Sequence, residues 1–349
     1  MRAVRIYGKL DMRLDELPDP PAPGPGEVLL RPTVVGVCGS DTHRYLEGGI
    51  GKRVITPDNP LIPGHEFAAV VEEVGPGVTL VRPGDRVAVE PARSCGHCEL
   101  CLLGKRNLCL NLAMCGSNAD GALRERMLYP ADEELLIPLP DKVSDEEGAL
   151  LEPLGVAMHA LELRRLRLAD TVAVLGAGTI GLLITQLAKL AGASQIIVSE
   201  PLEYRRQAAR EMGATDVLDP RQVDPVKAVQ DLTHGRGVDV VYEASGSTEA
   251  LKQGVEMARF GGTYILVGLP VPDTVELPFT AAWQRELTVI FQKRMNDIYP
   301  RALRMLTQGM VSLLPLVTHR FSLDEAIPAF ETAGRYRDGV LKAVIRVNP

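Results

Sequence analysis

Short runs of β-branched and apolar residues, each punctuated by glycine or proline, fill roughly the first 150 residues and predict a β-rich domain. Val28-Leu29-Leu30-Arg31-Pro32-Thr33-Val34-Val35 reads as a strand, and Phe67–Val74 as another, closed by Gly75-Pro76-Gly77. Arg86–Glu90 follows the turn Pro83-Gly84-Asp85. Near residue 155 the rhythm changes. Buried-strand runs at 171–175, 195–199, 216–218, 238–242 and 263–267 alternate with helical runs at 180–190, 203–212, 226–232 and 248–259. Alternating strand and helix predict a parallel, doubly wound sheet, so the fold class is α/β. A last strand at 287–291 precedes helices at 299–307 and 323–333 and a strand at 340–347, a tail expected to pack back on the first domain. The predicted division is 1–155, completed by 295–349, and 156–294 as the nucleotide-binding domain.

Composition narrows the functional classes. The 349 residues exceed one ordinary core, with 46% hydrophobic and 24% charged residues and a formal net charge of −7. An acidic chain with interspersed charge lacks a nucleic-acid footprint. No apolar run approaches the roughly 20 residues of a membrane span. Met1-Arg2-Ala3-Val4-Arg5-Ile6-Tyr7 reads as a strand rather than a secretion signal, so a cytoplasmic protein is expected.

Four of the six cysteines, Cys95, Cys98, Cys101 and Cys109, stand within fifteen positions. Thiolates at this spacing wrap one ion tetrahedrally and close its shell, which fits a structural zinc in a reducing compartment. Gly176-Ala177-Gly178-Thr179-Ile180-Gly181 follows a strand and opens a helix, and Glu200 ends the next strand. The glycines let the backbone approach a pyrophosphate, and the helix start at Thr179–Ile180 faces its charge. Glu200 accepts hydrogen bonds from ribose hydroxyls and repels a 2′-phosphate, which predicts NAD over NADP; Arg205 lies nearby. A closed four-thiolate site leaves chemistry to another. Cys38, His65 and Glu152 supply one thiolate, one imidazole and one carboxylate, a three-ligand zinc set with an open position. Each alone also reads as an ordinary packing, surface or capping residue.

Several segments, in order and over essentially the whole length, together resemble the zinc-containing medium-chain alcohol dehydrogenases. They are Val35-Gly36-Val37-Cys38-Gly39-Ser40-Asp41-Thr42-His43, Pro63-Gly64-His65-Glu66, the cysteine run, Glu152-Pro153-Leu154-Gly155 and the glycine loop. The resemblance is greatest to the branch of sorbitol, 2,3-butanediol and threonine dehydrogenases. It implies a GroES-like catalytic domain and a Rossmann domain with the active site in the cleft between them. It implies two zinc ions per chain, the catalytic one on Cys38, His65 and Glu152, with water or Glu66 completing the shell. Glutamate at 152 marks the polyol branch; ethanol-type enzymes carry cysteine there.

The implied reaction passes hydride from a secondary hydroxyl of a polyol or vicinal diol to NAD. The proton leaves through Ser40, the ribose hydroxyl and His43, read as lying on one loop. Tyr45 and Arg294 are weaker candidates for substrate contact, and Met295 stands where sorbitol dehydrogenases usually carry tyrosine. Lys52 and Arg53 are a minor candidate for an acidic substrate. Expected partners are a small-molecule alcohol and copies of the same chain, as a homotetramer or dimer, with no nucleic acid or membrane. Alternatives are a threonine 3-dehydrogenase-like or sugar-acid dehydrogenase and, in another class, a non-catalytic nucleotide-binding relative.

Overall fold

The computed structural model describes residues 1–50 and 53–348; Lys52 and the side chain of Arg53 lie outside what it describes. Two compact units divide the chain: Met1–Glu152 with Asn296–Pro349, and Pro153–Met295.

The first unit is built on a mainly antiparallel sheet. Its strands run in the order Leu136–Pro138, Arg86–Val89, Glu66–Val74, Glu27–Gly36, Lys342–Arg346 and Val317–Ser322, with Met127–Pro130 also pairing onto Glu27–Gly36. The C-terminal strand enters this sheet beside Glu27–Gly36, with Val344 opposite Gly36 and Ile345 opposite Val35. Val28, Leu30 and, after the register shift between Pro32 and Val34, Val35 join a core with Phe67, Val71, Met127, Tyr129, Phe330 and Ile345. Phe67 meets Tyr129 edge to face at 6.5 Å.

The second unit is the doubly wound sheet that strand–helix alternation predicts. Six parallel strands run in the order Asp216–Leu218, Gln195–Ser199, Thr171–Leu175, Val238–Glu243, Ala258–Leu266 and Thr288–Phe291. The central strands are buried along nearly their whole length, which is why they read as continuous apolar runs. Strand order reverses beside Thr171–Leu175, the switch point where such sheets bind ligands.

Four local differences from the sequence-based expectation have physical causes. Residues Gly39–Glu47 form a helix, so Ser40 and His43 do not lie on a loop. Its glycine start and polar residues mask the periodicity, and the helix is held by packing of Tyr45 on Phe330. A second unpredicted helix, Asp145–Leu163, contains Glu152 and Pro153. Proline reads as a break, and burial of Leu150, Leu151, Leu154 and Ala157 leaves no polar stripe to betray the period. The helix beginning at Thr248 ends at Met257, because Ala258 is already extended and opens the next strand. The run 323–333 splits into a short turn, Leu323–Glu325, and a helix, Ala326–Gly334; Ser322 and Glu325 form a capping box.

Candidate metal centres and dinucleotide site

Cys38 caps the helix Gly39–Glu47, whose first amides, Asp41 N–H and Thr42 N–H, donate to its carbonyl at 3.0 and 3.1 Å. His65 is delivered by the segment before strand Glu66–Val74. That segment is pinned by Leu123 N–H to the Pro63 carbonyl and Ala122 N–H to the Gly64 carbonyl. Ligand atoms of Cys38, His65 and Glu66 all lie within 4.8 Å of one another, with His65 and Glu66 buried. Glu152 is not in that trio, although it too is buried, and its charge acts on the lysine that contacts Glu66. Glu66, which the resemblance offered as an optional ligand, is thus brought together with Cys38 and His65.

Two groups escaped the sequence reading. Asp41, 1% exposed, places a carboxylate oxygen 3.3 Å from His65 Nδ1, which leaves Nε2 as the ring nitrogen for a metal. Its place between Cys38 and His43 was a usable signal, since a ligating histidine needs an acceptor behind it. Lys342, on the C-terminal strand, forms an ion pair with Glu66 and donates to the Val37 carbonyl at 3.1 Å. Nothing in the sequence around Lys342 connects it to a site 300 residues earlier.

The electrostatics fit a divalent cation. Three buried carboxylates, Asp41, Glu66 and Glu152, stand against two buried cations, Lys342 and Arg44, beside Cys38 and His65, and a metal ion would balance the remaining negative charge. Burial alone presses the His65 pKa down, yet Asp41 and Cys38 lift it well above the ordinary value. Burial pushes Asp41 up, and His65 and Arg44 more than reverse this, holding it below the usual range. One soft thiolate, one imidazole and one carboxylate form a donor set suited to zinc.

Ser40 Oγ donates to Cys38 Sγ at 3.4 Å and accepts from Arg44 at 3.3 Å. His43 lies one turn on, half-buried, and burial lowers its pKa. Tyr45 does not face this cluster. It is 5% exposed, and its hydroxyl donates to Glu331 at 3.1 Å, so it packs one helix on another. Arg294 belongs to the second unit and takes a left-handed backbone, φ +54°, with its carbonyl accepting from Gln292 Nε2 at 2.8 Å.

The four clustered cysteines converge. Their sulfurs lie within 4.8 Å of one another, Cys98 to Cys101 at 3.4 Å, and all are free thiols. Cys95 and Asn111 direct backbone N–H groups at Cys109 Sγ at 3.2 and 3.3 Å. Hydrogen bonds from backbone N–H groups, that of His97 first, lower Cys95 to about 6, and burial raises Cys101 to about 11. Four sulfurs, grouped without a fifth donor among the described residues, fit a closed structural zinc. The His97 ring is turned onto the Cys95 carbonyl at 2.6 Å.

In the second unit the glycine loop joins strand Thr171–Leu175 to helix Thr179–Leu190, which Gly178 caps. Gly176 has φ +93°, and a Cβ at Gly181 would lie 1.9 Å from the Gly176 carbonyl oxygen, so the tight turn requires both. Glu200, 3% exposed, accepts from Ala177 N–H at 2.8 Å and Leu202 N–H at 2.9 Å, which fixes the loop beside the acidic group. Arg205 reaches 3.9 Å from the position of a Gly178 Cβ. Arg206 is buried and committed to the Glu200 carbonyl, Glu203 and Asp219.

A dinucleotide fold joined in one chain to clustered metal-ligand side chains defines a nicotinamide-dependent metallo-oxidoreductase. Residues 24–141 match the alcohol dehydrogenase GroES-like domain and residues 179–308 the zinc-binding dehydrogenase family. Sorbitol dehydrogenase of Bacillus subtilis (strain 168) is 36% identical over 351 residues, covering 100% of this chain and 98% of that protein. The crystal structure of 2R,3R-butanediol dehydrogenase from Bacillus subtilis superposes with a TM-score of 0.86 at 33% identity, covering 99% of each chain. A zinc-binding dehydrogenase from Sinorhizobium meliloti 1021 bound to NADP gives 0.87 at 33% identity, again over 99% of each. The chain belongs to the zinc-dependent medium-chain alcohol dehydrogenase family, in its polyol branch.

Proposed function

We propose that this protein oxidises a secondary hydroxyl of a polyol or vicinal diol with NAD, using a catalytic zinc held by Cys38, His65 and Glu66 with Glu152 beside them. The observation that carries this reading is the convergence of thiolate, imidazole and carboxylate within 4.8 Å, the last two buried. Full-length likeness to a sorbitol dehydrogenase supports the substrate class. The zinc supplies a Lewis acid for the alcohol oxygen, and the nicotinamide accepts the hydride.

The chain's own groups do the rest. Asp41 orients His65 from behind. Ser40, hydrogen-bonded to Cys38, takes the alcohol proton, and His43 is its terminal acceptor. Burial of His43 lowers its pKa, so it is neutral and able to accept near pH 7. Gly176, Gly178, Thr179, Ile180 and Gly181 would cradle the pyrophosphate, and Glu200 and Arg205 would meet the adenosine ribose. The Glu200 carboxylate, together with the commitment of Arg206 to internal partners, supports NAD over NADP. Arg294 is retained as a candidate substrate contact; Tyr45 is assigned to packing.

We also propose a homo-oligomer, a tetramer or dimer, in the cytoplasm. Strand Thr288–Phe291 ends its sheet, and Phe279, Trp283 and Phe291 nearby are 78, 71 and 76% exposed, an apolar edge that a second copy would cover. Six free thiols support a reducing compartment.

Metal analysis tests the reading. Wild-type protein is expected to hold two zinc ions per chain. Cys38→Ser is expected to hold one and to lose alcohol oxidation. One ion in the wild type, unaffected by Cys38→Ser, would favour a non-catalytic relative.

A further inference from the structure

Lys342 is a buried cation that the proposed reaction does not use. It is 3% exposed, lies on the strand next to Glu27–Gly36, and has Glu66 as its ion-pair partner. Cys38 and Glu152 add their charges to the same ammonium. The chain keeps room for this pair. A Cβ at Gly36 would lie 2.2 Å from Glu66 Oε2 and 3.1 Å from Lys342 Cε. An apolar side chain would fill this position without the desolvation that a buried ammonium carries. Glu66 thus faces two cations: the lysine, and the metal that its neighbours Cys38 and His65 are placed to bind.

We propose that Lys342 is a positioning residue whose ammonium competes with the metal for the Glu66 carboxylate. The site then holds its ion less tightly than Cys38, His65 and Glu66 alone would, and the ion keeps more of its own charge for the substrate oxygen. This rests on the reading of that trio as the catalytic zinc site. The sign of the effect separates it from simple packing. A lysine that merely supports the sheet loosens zinc when removed; a competing cation tightens it.

The test uses the zinc-loaded full chain with Lys342→Met, Lys342→Gln and Lys342→Arg. Zinc release is followed by chelator competition, alongside kcat and the KM for NAD. In the two neutral variants the zinc dissociation constant is expected to fall about tenfold or more and kcat to fall about tenfold, with the KM for NAD unchanged. Lys342→Arg, which keeps the charge, is expected to restore both. Unchanged or weaker zinc binding in the neutral variants overturns the proposal. So does failure of both to fold with zinc present, since the metal should gain the carboxylate that the lysine gives up. Failure of the parent reading looks different: the wild type would lose no ion on Cys38→Ser, whatever Lys342 does.

Discussion

Asp41 is the residue whose replacement most sharply divides site chemistry from packing. Its carboxylate is 1% exposed and lies 3.3 Å from His65 Nδ1 and 3.4 Å from Arg44. Asp41→Ala removes the acceptor that fixes the imidazole, and loss of such a partner costs about 10–100-fold in metal affinity, or about 1.4–2.8 kcal/mol. It also leaves Arg44 without its carboxylate. Breaking a buried ion pair costs about 3–5 kcal/mol, and the lower end applies because Ser40 and Ser117 still accept from Arg44. At about 2–4 °C per kcal/mol for a unit of this size, the first unit is expected to melt about 6–12 °C lower. Asp41→Asn keeps an oxygen for the Nδ1 proton but no charge, so it falls between wild type and alanine in both measurements. Chelator competition and thermal melting of the zinc-loaded protein read the two effects separately. A melting loss with wild-type zinc affinity in Asp41→Ala would refute the orienting role and leave Asp41 as a packing residue.

Gly181→Ala forces a Cβ to within 1.9 Å of a backbone oxygen, which no rotamer relieves. It should weaken NAD binding by calorimetry at least tenfold and destabilise the second unit by about 2–3 kcal/mol, with two zinc ions retained. His43→Gln should lower kcat about a hundredfold and remove the acid limb of the pH–rate profile. In the wild type that limb lies below the ordinary histidine value, because burial lowers the pKa and the base is lost only when pH falls through it. Glu243 is fully buried, and burial raises its carboxyl pKa although Ser245 and Gly246 donate to it. Its raised folded value means stability is greatest below the ordinary carboxylate range and declines as pH rises through the folded pKa. Melting curves across that window should show this slope in the wild type and not in Glu243→Gln.

The second unit was the more legible half of the chain. Its strands at 171–175, 195–199 and 216–218 and its helix at 203–212 lie where apolar periodicity predicts them. Parallel strands buried on both faces leave an unbroken signal. The two hidden helices both carry site residues. Gly39–Glu47 is short and polar, and Asp145–Leu163 carries a proline and is wrapped in apolar neighbours, so neither shows a one-sided stripe. Cys38, His65 and Glu66 were named from residue chemistry and family likeness. Whether Glu66 or Glu152 stands third depends on backbone geometry that spacing does not encode. Lys342 was invisible for a different reason: strand pairing across about 310 positions, Val344 on Gly36 among them, brings it to the site.

NADH formation by the zinc-loaded protein from a panel of polyols, vicinal diols, sugar acids, threonine and ethanol reads the proposed activity itself. Turnover of a polyol or vicinal diol at a secondary hydroxyl is expected, with NAD preferred to NADP. Turnover confined to threonine or ethanol, preference for NADP, or no turnover with two zinc ions bound would contradict it.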